Sequence, residues 1–137
     1  MFILDTNVIS ELRQGKPKQS ADVRTWAVTQ PAASLFLSAI TILELEQGVL
    51  AMERRTPSQG TALRAWLAGV RSAFAGRTLP FTENTAVICA SLHVPNPQAE
   101  RDAMIAATAL EYSFTVVTRN VTDFKTTGVK LLNPWSI

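Results

Sequence analysis

Residues 2–12 read FILDTNVISEL, and this stretch decides how the rest of the chain is interpreted. The apolar run at residues 2–4 predicts a short buried strand, because consecutive apolar residues suit a strand that is covered on both faces. Asp5 follows at once, and the residues after it have helical spacing from about residue 6 to residue 13. A carboxylate directly after a buried strand has two readings: it caps the following helix, or it is a metal ligand at the strand end.

The composition indicates a folded, globular chain. Of its 137 residues, 47% are hydrophobic and 18% are charged, which predicts one compact domain over residues 1–137 with its own core. No apolar run approaches the roughly 20 residues that span a bilayer, and the first residues lack the pattern of a signal peptide. We therefore expect a cytoplasmic protein that does not contact a membrane.

Cysteine and histidine are too scarce to carry the chemistry of this chain. Cys89 is the only cysteine, which excludes an intramolecular disulfide and a cysteine-based zinc site. His93 is the only histidine, and we expect a surface or helix-end residue there instead of the base of a Ser-His-Asp relay. The net charge of +2 is too small to indicate nucleic-acid binding by itself.

Short apolar runs alternate with longer helical patterns along the chain. Strands are expected at residues 2–4, 34–38, 77–81, 114–117 and 129–135, and helices at residues 6–13, 20–30, 41–55, 61–76, 83–92 and 101–112. Pro80 marks an edge strand, since proline cannot donate to a ladder, and Pro57 with Gly60 predicts a break between two helices. The alternation predicts an α/β fold, a three-layer α/β/α sandwich with a central parallel sheet of about four to five strands.

Polar and acidic side chains lie at or near the predicted carboxyl ends of the strands. Ligands of parallel sheets bind at that edge, so these residues are candidates for a functional site. Their positions are after the first strand, in the helix after the second, at the start of the helix before residues 114–117, and just after that strand: Asp5, Glu44, Asp102, Asn120 and Asp123.

Each of these residues has a structural alternative. Asp5 or Thr6 would cap the first helix, and Thr41–Glu44 fits a capping box. Asp102 would interact favourably with a helix dipole, and Asn120 is a good cap for a short turn. Taken singly, each position is explained better by a structural role than by a ligand, because helix caps are common and active sites are few.

Taken together, the acids predict a metal site. Carboxylates pressed together in a semi-buried cleft repel one another and raise their own pKa values, and a hard divalent cation relieves that repulsion. Mg²⁺ binds a few carboxylates while it keeps several waters, and the scarcity of cysteine and histidine favours Mg²⁺ or Mn²⁺ over zinc. Such a site suits phosphodiester hydrolysis, because the metal lowers the pKa of a water and offsets charge on the phosphate. The sequence has no Walker-type glycine-rich loop.

Five segments resemble one known family. They are LDTNVISEL (4–12), LSAITILELEQGV (37–49), DAMIAATALEY (102–112), VVTRNVTDF (116–124) and LLNPW (131–135). In this order they are similar to the PIN-domain ribonucleases, and most to toxins of the VapC and FitB kind. The resemblance runs over nearly the whole chain. It implies a PIN fold and a metal-dependent endoribonuclease that acts as the toxin of a type II toxin–antitoxin system.

The resemblance also assigns residues to the site. The family's first three acids match Asp5, Glu44 and Asp102, which would bind Mg²⁺ or Mn²⁺, with Glu44 preferred to Glu46 at the second position. The fourth position, an aspartate in some relatives, is Asn120 here. Asp123 is a candidate to compensate for it, directly or through water, so the number of bound metals stays open. The expected catalytic set is Asp5, Glu44, Asp102, Asn120 and Asp123.

Polar neighbours of the acids receive supporting roles from the resemblance. Thr6, Asn7 and Thr118 would orient the carboxylates or waters, although ordinary turn and cap hydrogen bonds explain them equally. Arg119 would contact a phosphate, or would be a surface residue or an ion-pair partner of an acid. Trp135, like the other two tryptophans, is expected in the core or at an interface.

Partners follow from the resemblance as well. It implies a cognate antitoxin that occludes the cleft, an RNA substrate and a homodimer or a higher toxin–antitoxin assembly. Helices at residues 41–53 and 61–75 would provide an antitoxin groove, or would simply pack on the sheet. The alternative function is a non-catalytic PIN-like module that binds RNA or protein, which Asn120 in place of an acid favours. A 5′-nuclease acting on DNA is a weaker reading, because the chain is short.

Overall fold

A five-stranded parallel sheet forms the centre of the fold. The structure, a computed structural model, describes residues 1–136. The strands are β1 (Phe2–Leu4), β2 (Leu35–Ser38), β3 (Thr78–Leu79), β4 (Thr115–Val117) and β5 (Leu131–Leu132). They pair in the order β3-β2-β1-β4-β5, and every pairing is parallel. The predicted parallel sheet is confirmed, and β3 is an edge strand as Pro80 indicated.

Helices connect all successive strands, as parallel pairing requires. The α-helices are α1 (Thr6–Glu11), α2 (Ala21–Thr29), α3 (Ala39–Arg55), α4 (Pro57–Ala73), α5 (Glu83–Leu92), α6 (Glu100–Tyr112) and α7 (Val121–Phe124). Short 3₁₀ turns occur at Ala32–Ser34, Lys125–Thr127 and Pro134–Ser136. Within residues 1–136, no helix is long and apolar enough to cross a membrane.

Two hydrophobic cores cover the two faces of the sheet. Leu4 and Val117 point to one face and pack with residues of α1 to α4, such as Val8. Ile3 and Val116, their neighbours along the same strands, point to the other face and pack with residues of α6 and α7. Successive residues of a strand face opposite sides, so both cores follow from consecutive apolar residues in β1 and β4. The predicted three-layer α/β/α arrangement is confirmed.

The start of α3 differs from the prediction. The helix begins at Ala39, because the Ser38 hydroxyl oxygen accepts hydrogen bonds from the backbone N–H groups of Ile40 and Thr41, both at 3.1 Å. Serine is a strong helix cap, and it stands directly after the strand. The proposed capping box at Thr41–Glu44 is therefore wrong, and the side chain of Glu44 is available for another role.

The predicted break at Pro57 and Gly60 is also misplaced. Pro57 is the first residue of α4, a position where its missing N–H costs nothing. Gly60 lies inside that helix, where a Cβ atom would stand 2.4 Å from the Cα of Glu53 in α3. Glycine at this position thus permits close packing of α3 against α4, and the break between the two helices is at Thr56.

The last strand is shorter than residues 129–135. Gly128 has a φ of +77°, which ends the preceding 3₁₀ turn, and β5 covers only residues 131–132. After it, the side-chain oxygen of Asn133 accepts the backbone N–H of Trp135 at 2.9 Å and starts another 3₁₀ turn. The sequence reading also treated Asn120 as a turn cap, but its side chain makes no capping hydrogen bond to α7.

Candidate active site

The strand order places a crevice at the ends of β1 and β4. From β1 the chain moves outward to β2 and β3, then returns to the opposite side of β1 to form β4. Helices on the two routes diverge at such a switch point and leave a crevice at the carboxyl ends of the two strands. Asp5 follows β1 and Thr118 follows β4, and the backbone N–H of Asp5 donates to the carbonyl of Val117 at 2.9 Å.

Asp5 is held on the floor of this crevice by donors from three residues. One carboxylate oxygen accepts the backbone N–H of Thr6 at 2.8 Å, which caps α1. The other accepts the hydroxyl of Thr118 at 2.8 Å and the side-chain amide of Asn7 at 3.3 Å. Asp5 is buried, with 5% of its surface exposed, and Thr118 is fully buried. Capping and a place in the site therefore coexist in one side chain.

Glu44 enters the same crevice from α3. The Thr6 hydroxyl donates to Glu44 Oε1 at 2.6 Å, so Thr6 bridges the carboxylates of Asp5 and Glu44. Arg101 Nη1 lies 3.8 Å from Glu44 Oε2 and partly offsets its charge. Glu46 instead accepts a hydrogen bond from Arg64 on α4 at 2.7 Å. Of the two glutamates, Glu44 is the one that faces the predicted site.

The crevice is a cleft of about 470 Å³ that gathers most of the predicted residues. Its wall contains all three candidate metal ligands together with Thr6, Asn7, Arg119 and Asn120. Thr118 lies beneath it, hydrogen-bonded to Asp5. Asp123 is the exception, since it is exposed at the start of α7 and does not line the cleft. The full set of lining residues is Asp5, Thr6, Asn7, Ser10, Glu11, Lys16, Glu44, Asp102, Arg119, Asn120 and Trp135.

Burial, with repulsion from neighbouring acids, raises the pKa values of Asp5 and Asp102. Burial raises the pKa of Asp102 to about 6, and the charges of Asp5, Asp123 and Glu44 add to that effect. Burial also raises the pKa of Asp5 against the opposing hydrogen bonds from Thr118 and Thr6, and the charges of Glu44 and Asp123 raise it further. Asp123 thus acts on the cleft through its charge, although it does not touch it.

The donor set fits a hard divalent cation. Within residues 1–136, no three histidine, cysteine, aspartate or glutamate side chains converge tightly enough to enclose a metal ion. Mg²⁺ does not need such a cage, because it retains waters and binds through one or two carboxylates. Asp5, Glu44 and Asp102 offer only oxygen ligands, and a cation between them would relieve the burial and charge repulsion that raise the pKa values of Asp5 and Asp102.

The cleft also contains residues that were not predicted as part of the site. Glu11, 5% exposed, ends α1 and pairs with Lys16 on the following loop. Trp135 lies under Arg119. Hydrophobic periodicity marks Glu11 only as an interior polar position, and nothing in the pattern places a loop after α1 beside a turn more than a hundred residues away. His93 ends α5 and accepts the backbone N–H of Gln98, as a helix-end residue.

Comparison with known proteins agrees with the sequence resemblance. The PIN domain model matches residues 2–130. The chain is 39% identical to a VapC ribonuclease of Sinorhizobium fredii, over 98% of each sequence, and 36% identical to the toxin FitB of Neisseria gonorrhoeae, over 98% of this chain and 99% of the relative. The crystal structure of FitAcB from Neisseria gonorrhoeae superposes over the full length of both chains with a TM-score of 0.91 and 36% identity. The chain therefore belongs to the PIN domain family.

Proposed function

We propose that this PIN domain is an endoribonuclease that depends on Mg²⁺ or Mn²⁺ and acts as a toxin. The observation that carries the proposal is the convergence of Asp5, Glu44 and Asp102 on one cleft at the switch point of the sheet. Burial raises the pKa of Asp102 to about 6, and the charges of Asp5, Asp123 and Glu44 add to that effect; a bound cation would relieve it. Relatives named as a ribonuclease and as a toxin support the same reading.

The chain's own residues supply orientation and charge for the reaction. A divalent cation held by Asp5, Glu44 and Asp102, directly or through its retained waters, would neutralise charge at the scissile phosphate and lower the pKa of the attacking water. Thr118 and Asn7 fix the orientation of the Asp5 carboxylate through two hydrogen bonds to one oxygen. Thr6 sets the position of Glu44 relative to Asp5. Such hydrogen bonds keep ligand oxygens aimed at one point and strengthen the site.

A cognate antitoxin is the partner that this function requires. An apolar groove of about 560 Å³ runs between α1 and α4 and is lined by residues that include Ile9, Leu12, Trp66 and Phe74. Its shape suits an amphipathic segment of an antitoxin whose remainder would reach the cleft. Of the two helices named for this role from sequence, α4 lines the groove and α3 does not. A homodimer is part of the same proposal, and light scattering of the purified chain tests it.

Growth arrest provides a direct test of the toxin function. Induction of the wild-type chain in cells without its antitoxin should stop growth, whereas Asp5→Asn should not. Asp22→Asn is the matched control, because Asp22 is exposed on α2 and lies outside the cleft. If Asp5→Asn stopped growth as completely as the wild type at equal protein levels, the catalytic role of Asp5 would be wrong.

The second candidate function is a non-catalytic module that binds RNA or protein. Asn120 favours it, because an amide stands in the cleft where some relatives have an acid. Calorimetric titration separates the two functions. A nuclease should bind Mg²⁺ or Mn²⁺ with heat that disappears in Asp5→Asn, whereas a binding module should retain RNA affinity and bind neither ion.

A further inference from the structure

The lining of the cleft includes basic residues, called the cationic wall below, besides its carboxylates. Two basic residues line it, Lys16 on the loop after α1 and Arg119 on the turn after β4. The three candidate metal ligands, Asp5, Glu44 and Asp102, line the same cleft, and a fourth acid, Glu11, lines it beside Lys16. A polynucleotide strand that enters such a cleft meets both charges at once. The acidic residues suit a metal cation, and the basic residues suit a phosphate that they contact directly, without a metal between them.

Glu11 positions Lys16 and leaves ammonium donors of Lys16 free to bind a phosphate. One carboxylate oxygen of Glu11 lies 3.0 Å from Lys16 Nζ, and the other accepts the backbone N–H of Ser20 at 2.6 Å. The backbone N–H of Ser20 and the neighbouring Lys16 and Arg119 charges hold the pKa of Glu11 below its usual value despite burial. An ammonium group has three donors, so Lys16 keeps two after this pairing.

The loop that carries Lys16 is tied to the end of α1. The side-chain amide of Gln19 donates to the backbone carbonyls of Glu11 and Arg13, at 2.6 and 3.3 Å. The backbone N–H of Lys16 itself donates to the carbonyl of Arg13 at 3.2 Å. Together with the bond from Ser20 to Glu11, these contacts hold the loop at a defined place beside the cleft. A binding group on a braced loop loses less entropy when it engages a ligand.

Arg119 is positioned by an aromatic face instead of an acid. Its guanidinium carbon lies 5.3 Å from the ring centre of Trp135, and its backbone N–H donates to the side-chain oxygen of Asn7 at 3.3 Å. Among residues 1–136, no carboxylate forms a salt bridge with its guanidinium group. The fork of donors therefore faces the cleft with its charge intact, and such a fork matches phosphate oxygens.

We propose that Lys16 and Arg119 form a subsite for a backbone phosphate of single-stranded RNA, next to the phosphate that the carboxylate side would cleave, with Glu11 as its positioning residue. This inference rests on the proposed ribonuclease function, since it assigns the cationic wall to the same substrate strand. Because the contacts are to phosphate, the subsite contributes affinity that is independent of base sequence.

Binding to an uncleaved strand tests the subsite separately from catalysis. The probe is a fluorescein-labelled, unstructured twelve-nucleotide RNA, titrated by anisotropy with full-length Asp5→Asn protein in Mg²⁺ buffer. Adding Lys16→Ala or Arg119→Ala should weaken binding by about 5- to 20-fold, in line with the loss of one charged phosphate contact. Each change should also reduce the slope of log affinity against log salt by about 0.7. A merely structural role would not reduce that slope.

Matched variants complete the experiment. Lys130→Ala removes the same charge from an exposed position just before β5. This position is at the amino-terminal ends of the strands, away from the cleft, so affinity and slope should not change. Glu11→Gln should weaken binding by about 2- to 5-fold, because Lys16 loses the ion pair that positions it. Lys16→Arg should retain binding, because the positive charge at residue 16 survives. The proposal is overturned if Lys16→Ala and Arg119→Ala match Lys130→Ala. Absence of cleavage by the wild-type protein, with the Lys16 and Arg119 effects intact, would instead overturn the ribonuclease function alone.

Discussion

Asp102→Asn is expected to stabilise the metal-free protein at alkaline pH. The pKa of Asp102 rises from 3.8 to about 6 on folding, because burial and the charges of Asp5, Asp123 and Glu44 disfavour its carboxylate. A rise of about two pKa units corresponds to about 3 kcal/mol. Asp102 is partly exposed, so solvent screening reduces this to about 1.5 kcal/mol.

The substitution also removes a charge from the first turn of α6. A carboxylate there stabilises the helix dipole by about 0.3 to 1 kcal/mol, so the net gain in the free energy of unfolding should be about 1 kcal/mol. Glu100→Gln provides the matched control, because Glu100 is exposed in the same turn and does not line the cleft. It should destabilise the protein slightly, by the dipole contribution alone.

The dependence on pH identifies the cause. For an acid whose pKa is raised in the folded state, stability is lost as the pH rises from the unfolded value of 3.8 through the folded value of about 6. The advantage of Asp102→Asn should therefore be complete at about pH 8 and about half as large at about pH 5.

Urea unfolding in EDTA at both pH values, followed by circular dichroism, gives the required free energies. We expect Asp102→Asn to exceed Glu100→Gln by about 1.5 kcal/mol at the higher pH, with the difference shrinking at the lower one. Equal stabilities of the two variants at the higher pH, or a difference between them that does not change with pH, would refute the conclusion that folding raises the pKa of Asp102.

Three further outcomes are expected. Thr118→Val removes a donor from buried Asp5 at constant shape and should lower kcat by about 10- to 100-fold in an RNA cleavage assay, with an unchanged circular dichroism spectrum. Gly60→Ala should destabilise the protein by about 1 to 3 kcal/mol in urea unfolding, through contact with Glu53, whereas Gly69→Ala, which meets open space, should not. Saturating Mg²⁺ should raise the melting temperature more at alkaline than at acidic pH, because protons compete for the same carboxylates.

Features that local chemistry alone determines could be predicted from the sequence. Apolar runs that alternate with helical patterns predicted the parallel sheet, and Pro80 predicted its edge. The predicted helix boundaries that were wrong depend on which of several neighbouring residues caps or interrupts a helix. Ser38 and Thr41 are both capable helix caps, and the end of β2 at Ser38 decides in favour of the first. Gly60 suggests a helix break in the sequence, but it lies inside α4 because only glycine leaves room for the close approach of α3.

The acidic side of the site could be predicted because each acid is tied to a strand end or a helix start. On the basic side, Arg119 could be named from its place beside the acids, but Lys16 could not, because it lies on a loop whose path depends on Glu11, Gln19 and Ser20. Those contacts are local in sequence, but the juxtaposition of that loop with Arg119 arises only when β1 pairs with β4. Long-range pairing of this kind leaves no periodic signal in a single sequence.

Cleavage of RNA by the purified chain decides whether the carboxylate cleft is a metal-dependent nuclease site. Wild-type protein and Asp5→Asn are incubated with labelled total RNA in Mg²⁺, in Mn²⁺ and in EDTA, and the products are resolved by electrophoresis. The carboxylate cleft predicts discrete cleavage products from the wild type with either ion, none in EDTA, and a loss of activity in Asp5→Asn of at least about 100-fold. Cleavage by the wild type in EDTA would show that the reaction does not need the metal, and cleavage by Asp5→Asn at the wild-type rate would show that the cleft is not the catalytic site.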